Sequence, residues 1–293
     1  MLKEEQKEIK SIKNNKQKEK YYRHLISERK TDFFLLYSFA EFLYSINHKK
    51  DNPEVCYLLD QVIDNSNNIQ LINKAKMKKA QFLQSIAKYQ SAEILYMEVL
   101  KSNPNSYKCS ILLAQLKYKT YEVEKAKKWL RYTLNSTQRK YRTAAYRNLI
   151  ELYINEEDYD HALQIVQNFL SDDYTKKYEN FISFSLARIY RGKKDYDQAC
   201  YYMDQVTGLH HKLGNPALEK VRLYTETNNI EKLEKAYNDL SFYQSIEDKI
   251  DIEYNLMLID EQQQNLPNRE KHKNKMLSLK NTYRQQFNDH LKW

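Results

Sequence analysis

The feature of this sequence that most constrains its fold is a small residue that returns at nearly constant intervals. Ala92, Ala126, Ala162 and Ala199 are separated by steps of 34, 36 and 37 residues. Apolar residues follow Ala92 at offsets of four, seven and eight positions, which places them all on one helical face. A period of this length predicts supersecondary units that must stack on one another to bury a core.

Each unit reads as a pair of helices, with the small residue in the second helix. The phase extends backwards to Cys56 and forwards to Leu233. An aromatic or aliphatic residue precedes the small position by three in most units: Tyr89, Val123, Tyr159, Tyr196 and Ile230. The first helices carry their own apolar pairs, such as Phe82 with Leu83, and Pro104 ends one second helix because proline cannot continue it.

Two short phrases mark the turn inside a pair. They are Glu157-Asp158-Tyr159-Asp160-His161-Ala162 and Lys194-Asp195-Tyr196-Asp197-Gln198-Ala199. Together with the period, they resemble the inter-helix turn of the tetratricopeptide repeat family. The resemblance covers roughly Thr31 to Phe242, although the bulky aromatic and Leu-Gly pair usual in the first helix are mostly absent. It implies an all-α fold, a right-handed α-solenoid of about six to seven antiparallel helix pairs with terminal capping helices.

The sequence outside the repeats predicts two flanking segments. Residues 1–30 are a charged N-terminal helical lead-in, residues 31–242 the repeats, and residues 243–293 a C-terminal capping helix pair. The lead-in is expected to be one helix whose last turns, around Tyr21 and Leu25, dock on the first repeat. We expect the part before Lys20 to fray because it is polar and highly charged.

The composition argues against an enzyme. Three glycines are too few for a Gly-rich phosphate loop or a dinucleotide fingerprint. The seven histidines form no pair at zinc-ligand spacing, and no serine or cysteine has a nearby base. Asp158, Asp160 and His161 are interpreted as capping residues at a helix start. We therefore predict no catalytic residue, no metal and no cofactor.

The cysteines and the termini bear on location. Cys56, Cys109 and Cys200 are far apart at apolar helix positions, which favours free buried thiols and a reducing compartment. The N-terminal residues have no apolar stretch behind them, and no segment reads as a membrane span. These observations predict a cytoplasmic protein without membrane insertion.

Charge is segregated along the chain. Between Lys74 and Arg147 there are 17 Lys or Arg against four acidic residues, a net charge of +13. From Asn148 to Leu266 there are 12 basic and 22 acidic residues, a net charge of −10. The basic block suits an acidic protein or a nucleic acid, and the two halves would also allow homo-oligomerisation.

The family resemblance implies that the first helices line a concave groove, which predicts a binding site. Its residues are Lys74, Lys108, Ile111, Gln115, Tyr118, Arg147, Glu151, Phe181, Phe184, Arg188, Arg191 and Arg222. An apolar floor of Ile111, Phe181 and Phe184 ringed by cations and amides suits an extended peptide or an acidic helix of a partner. The first hypothesis is therefore a non-enzymatic adaptor or scaffold for protein binding.

Two other functions stay open at this point. One is a peptide-sensing regulator, similar to the Gram-positive pheromone receptors built on such arrays, although residues 1–30 are too short for their N-terminal output domain. The other is a nucleic-acid-associated repeat protein that uses residues 74–147. Six tyrosines interleave with the cations there: Tyr107, Tyr118, Tyr121, Tyr132, Tyr141 and Tyr146. Such rings stack bases, but they also serve as protein anchors or as core.

Overall fold

A computed structural model describes most of the chain. The described residues are 3–46, 52–172, 176–207, 216–227, 246–262 and 264–290, with 229, 232–233, 235–236 and 239 between them. Every regular element among these residues is helical, and none is a strand. The predicted all-α repeat fold is thereby confirmed. The prediction placed on Ile230 lies outside the described residues.

The chain divides into two compact units, residues 1–149 and 150–293. Unit 1 contains α1 (Lys3–Ser11), α2 (Asn15–Glu28), α3 (Phe33–Ile46), α4 (Pro53–Asn65), α5 (Ile69–Ser85), α6 (Tyr89–Ser102), α7 (Tyr107–Lys119) and α8 (Val123–Thr133). Helix α9 (Arg139–Asn155) begins in unit 1 and ends in unit 2. Within unit 1, α3 pairs with α4, α5 with α6 and α7 with α8.

Unit 2 continues the same design. It contains α10 (Tyr159–Asp172), a short 3-10 helix (Lys176–Tyr178), α11 (Glu179–Gly192), α12 (Tyr196–Asp204), α13 (Pro216–Glu226), α14 (Ile246–Gln262) and α15 (Leu266–His290). Helix α11 pairs with α12, and α14 pairs with α15. The predicted boundaries at residues 30 and 242 stay a prediction. The observed division instead lies close to Arg147, where the basic block ends.

The recurring small residues of the second helices are completely buried. Ala92, Ala126, Ala162 and Ala199 are each 0% exposed. A methyl group at these places lets two helix backbones come together, and a larger side chain would have to displace its neighbours. The positions that the period in the sequence selects are therefore the buried positions of the second helices.

The turns inside the pairs repeat the same backbone conformation. Ala87, Tyr121, Glu157 and Lys194 have φ angles of 62°, 61°, 59° and 62°. In each case the next residue donates its N–H to the carbonyl five residues earlier, as Lys88 does to Leu83 at 2.8 Å. This is the Schellman arrangement, which closes a helix with one left-handed residue. None of the four residues is glycine, so the sequence does not indicate this left-handed conformation.

Side chains cap the second helices of unit 2. Asp158 accepts from the His161 N–H at 3.3 Å, and Asp195 accepts from the Gln198 N–H at 3.2 Å. Capping, as the sequence predicted for Asp158, satisfies backbone donors that the helix leaves unpaired. At the matching positions of unit 1, Lys88 and Glu122 make no side-chain cap.

The N-terminal lead-in forms two helices instead of one. Asn14 interrupts the helix and caps α2, accepting from the Gln17 N–H at 3.1 Å. Helix α1 is held by the buried Ile9 and by an ion pair of 2.6 Å between Arg29 and Glu5. One apolar anchor and one cross-helix ion pair thus contact α1, and the expectation that the segment before Lys20 frays stays a prediction.

Candidate interaction surface

The predicted groove residues all lie on the first helices of the pairs. Lys74 is on α5; Lys108, Ile111, Gln115 and Tyr118 are on α7; Arg147 and Glu151 are on α9; Phe181, Phe184, Arg188 and Arg191 are on α11; and Arg222 is on α13. First helices of neighbouring pairs touch directly, α3 with α5, α5 with α7, and α11 with α13. The two units are described separately below.

In unit 1, four of these residues are exposed and form what we call the unit 1 face: Lys74, Lys108, Gln115 and Tyr118. Ile111 is half-buried beside them. Within the described part of the chain, Lys74 and Lys108 form no ion pair. Two ammonium groups, an amide and a phenol ring are therefore exposed on α5 and α7.

The unit 1 face is basic because its helices have no acidic residues. Neither α5 nor α7 contains an Asp or Glu, and α9 has none before Glu151. The other lysines of α5 use carboxylates of other helices, with Lys76 at 2.6 Å from Glu98 and Lys78 at 2.9 Å from Glu41. The cations that remain are those a partner would meet.

In unit 2, the predicted arginines are already paired. Arg188 donates from Nη1 to Glu151 at 2.7 Å, and its guanidinium carbon lies 5.6 Å from the centre of the Phe184 ring. The Arg188 and Glu151 side chains are 15% and 23% exposed. This pair joins α9 to α11, so it stabilises the contact between successive first helices.

A second charged group joins α11 to α13. Arg191 donates to Glu226 at 2.9 Å and lies 3.4 Å from Glu219, which also accepts from Arg222 at 2.7 Å. Burial disfavours the charged Arg191 guanidinium, but the carboxylates of Glu219 and Glu226 outweigh this effect and raise its pKa. Both partners of Arg191 are therefore carboxylates of a first helix, α13. Asp195, which is closer to Arg191 in the sequence, caps α12 instead.

Phe181 and Phe184, predicted as an apolar groove floor, are 7% and 4% exposed. Phe184 packs in a core cluster with Ala187, Met203 and Val221. Their side chains support the fold and contribute little to a surface. The surface beside them is made by the arginines of α11, so the described face of unit 2 is a network of paired charges.

Sequence reasoning missed the acidic half of this network. Glu219 and Glu226 were not among the predicted site residues, although Glu219 and Arg222 stand three apart on α13 and share a face. Carrying the phase of α11 onto α13 would have found them. Glu151 was predicted, but as a free groove residue and not as the partner of Arg188.

A buried lysine was also missed. Lys117 is 4% exposed and lies 2.5 Å from Glu93 and 2.7 Å from Glu122. Burial opposes its charge, yet the hydrogen bonds that Lys117 donates to the two carboxylates raise its pKa, and Lys117 in turn lowers the pKa of Glu122 to about 2. This cluster joins α6, α7 and α8, and we assign it to stability.

The described residues contain no group of three or more His, Cys, Asp or Glu placed to hold a metal ion. None of the described helices is long and apolar enough to cross a bilayer. Burial raises the pKa of the Cys109 thiol to about 12, so this side chain behaves as an apolar core residue.

Comparison with known proteins supports the fold. No protein-family model matches the chain, and no curated protein matches it as a relative. Among solved structures it is similar to yeast Tom70, with a TM-score of 0.59 and 16% identity over 90% of this chain and 55% of that one. It is also similar to PilF of Pseudomonas aeruginosa (TM-score 0.56, 14% identity, 73% of this chain and 92% of that one).

A third similar structure is BtubC from P. vanneervenii, with a TM-score of 0.53 and 14% identity over 69% of this chain and 89% of that one. These neighbours contain tetratricopeptide repeats. Together with the period and the buried alanines, they establish a tetratricopeptide-repeat-like helical fold for this chain. At such low identity the likeness concerns the fold alone.

Proposed function

We propose that this chain is a non-enzymatic scaffold that binds an acidic segment of another protein along the unit 1 face. One observation carries the proposal. Two exposed lysines without ion pairs in the described part of the chain, Lys74 and Lys108, stand on successive first helices that contain no acidic residue. Like charges of this kind attract a partner of opposite sign and raise its association rate.

The neighbouring groups suit a peptide more than a small ion. The Gln115 amide both donates and accepts hydrogen bonds, as a peptide main chain requires. The Tyr118 ring, 41% exposed, offers flat apolar area to a side chain of the partner. Carboxylates of the partner would approach Lys74 and Lys108, and its backbone would bind between them.

The proposal is confined to unit 1. The predicted groove residues of unit 2 are left out of it, because their charged groups already pair with one another.

Charge reversal tests the proposal. Lys74→Glu with Lys108→Glu should abolish co-purification of the partner and leave the melting temperature nearly unchanged, because neither lysine supports a described contact. Lys20→Glu with Lys101→Glu is the matched control, since both residues are exposed on other helices, α2 and α6, and make no ion pair within the described residues. Partner binding that survives the first pair of changes in a folded protein would refute the proposed face.

A further inference from the structure

A second surface of unit 1 combines aromatic rings with unopposed positive charge. Tyr107 at the start of α7, Trp129 and Tyr132 near the end of α8, and Tyr141 near the start of α9 form a continuous group that we call the aromatic edge. The ring centre of Tyr107 lies 5.9 Å from that of Tyr132 and 6.4 Å from that of Tyr141. The ring centre of Trp129 lies 6.0 Å from that of Tyr132. All four side chains are half-buried.

The rings of the aromatic edge are held in place by the backbone. The Tyr132 hydroxyl donates to the Pro104 carbonyl at 3.0 Å, and the Tyr107 hydroxyl donates to the Asn135 carbonyl at 3.4 Å. These bonds fix the two rings before any ligand arrives, which lowers the entropic cost of binding. The Tyr141 hydroxyl makes no hydrogen bond to any residue that the structure describes, and its ring contacts that of Tyr107 and the Lys140 ammonium instead.

Two lysines border the aromatic edge, and the acidic residues in this part of the sequence are few. The Lys140 ammonium lies 4.7 Å from the centre of the Tyr141 ring, and Lys128 stands four residues before Tyr132 on the same face of α8. Between Glu98 and Glu151 the only acidic residues are Glu122 and Glu124. Both are at the opposite end of α8, about 12 Å along its axis from Tyr132, and both form ion pairs with lysines.

We propose that the aromatic edge binds single-stranded nucleic acid, with bases stacked on its rings and phosphates beside Lys128 and Lys140. Flat rings with cations at their borders match the alternation of base and phosphate along a strand. An acidic peptide offers charge but no row of flat faces, and the bases of a duplex are already stacked on one another. This inference is independent of the proposed protein-binding face, because it uses different residues.

Binding of a short fluorescent oligothymidylate or oligouridylate, followed by anisotropy from low to physiological salt, tests the inference. Tyr141→Leu should weaken binding about tenfold (about 1.4 kcal/mol), because it removes a stacking surface. Tyr141→Phe should keep the affinity, because it keeps the ring. The exposed Tyr57 of α4, changed to Leu, is the control for a lost aromatic residue elsewhere.

The charge contribution is measured separately. Lys128→Gln with Lys140→Gln should reduce the slope of log affinity against log salt by about 1.4, or about 0.7 for each lost phosphate contact. Lys20→Gln, at an exposed position of α2, should leave that slope unchanged. No binding at low salt, equal binding of a poly-glutamate peptide, or an unchanged affinity in folded Tyr141→Leu would each overturn the inference. Tighter binding of duplex than of single strands would overturn it as well.

Discussion

The ring of Tyr159 lies where a side chain at Gly192 would have to be: a Cβ at Gly192 would come within 2.0 Å of Tyr159 Cζ. Tyr159 opens α10 and Gly192 ends α11, so this contact joins two helices of unit 2. The glycine is required here for space, since its backbone is helical. It lets an aromatic ring lie directly on the helix end.

This contact predicts that Gly192→Ala changes the free energy of unfolding in opposite directions when Tyr159 is present and when it is replaced. Gly192→Ala alone should lower the free energy of unfolding by about 1–3 kcal/mol, because the ring is displaced. In a Tyr159→Ala background the same change should raise it by up to about 1 kcal/mol, because alanine favours helix over glycine. Urea denaturation of the wild type, the two single variants and the double variant measures the effect of Gly192→Ala in both backgrounds. Equal effects in the two backgrounds would show that the ring is not the obstacle.

The left-handed turn residues predict stabilising substitutions. Tyr121 has a φ of 61° and is 93% exposed, so Tyr121→Gly relieves backbone strain without removing packing. Relief of about 1–2 kcal/mol exceeds the entropy that glycine adds to the unfolded chain, about 0.4–1 kcal/mol. Thermal unfolding should show a small rise in melting temperature. Lys119→Gly, at the exposed end of α7, should lower it because that residue is helical.

The pair of Arg188 and Glu151 predicts a coupling between α9 and α11. Arg188→Ala should cost about 1–3 kcal/mol, because it leaves a partly buried carboxylate without its partner. Removing Glu151 as well should restore part of the loss, since the orphan charge disappears. A double-mutant cycle in urea gives the coupling energy. Additive losses would mean that solvent already screens the two charges from each other.

The environment of Asp260 predicts that the stability of the protein depends on pH. Burial raises its pKa, and the opposing effect of His272 is smaller. Since the folded-state pKa exceeds the unfolded value, the contribution of Asp260 to stability is present at low pH and is lost as the pH rises through the folded pKa. Asp260→Asn should therefore stabilise the protein at neutral pH, and the difference should shrink below about pH 4. A difference that is constant with pH would contradict this account.

The sequence predicted the parts of the fold that depend on spacing. Four successive units have a fully buried alanine at the same position, so Ala92, Ala126, Ala162 and Ala199 indicated both the period and the phase. The left-handed turns were not predictable in the same way, because Tyr121 and Glu157 are not residues that favour positive φ. Their conformation follows from the helix pairing around them.

The sequence predicted which helices carry the candidate site residues. It did not predict which of these residues are buried and which are paired. Phe184 and Arg188 stand four apart on one face of α11, yet one is core and the other is at the surface. A first helix in a repeat has neighbours on two sides, so its apolar stripe is wide and its border cannot be read from periodicity alone. The carboxylate partners of Arg188 and Arg191 lie 28 to 37 residues away along the chain, which local spacing does not reveal.

The position of Trp129 in the aromatic edge gives this protein a built-in optical probe. The chain has two tryptophans, and the other is Trp293 at its last position, outside the described residues. A Trp293→Phe variant would leave one indole, whose emission reports on unit 1 alone, while circular dichroism reports on helices throughout the chain. Coincident unfolding curves from the two signals would mean one cooperative transition. Separate curves would mean that residues 1–149 melt as a foldon of their own.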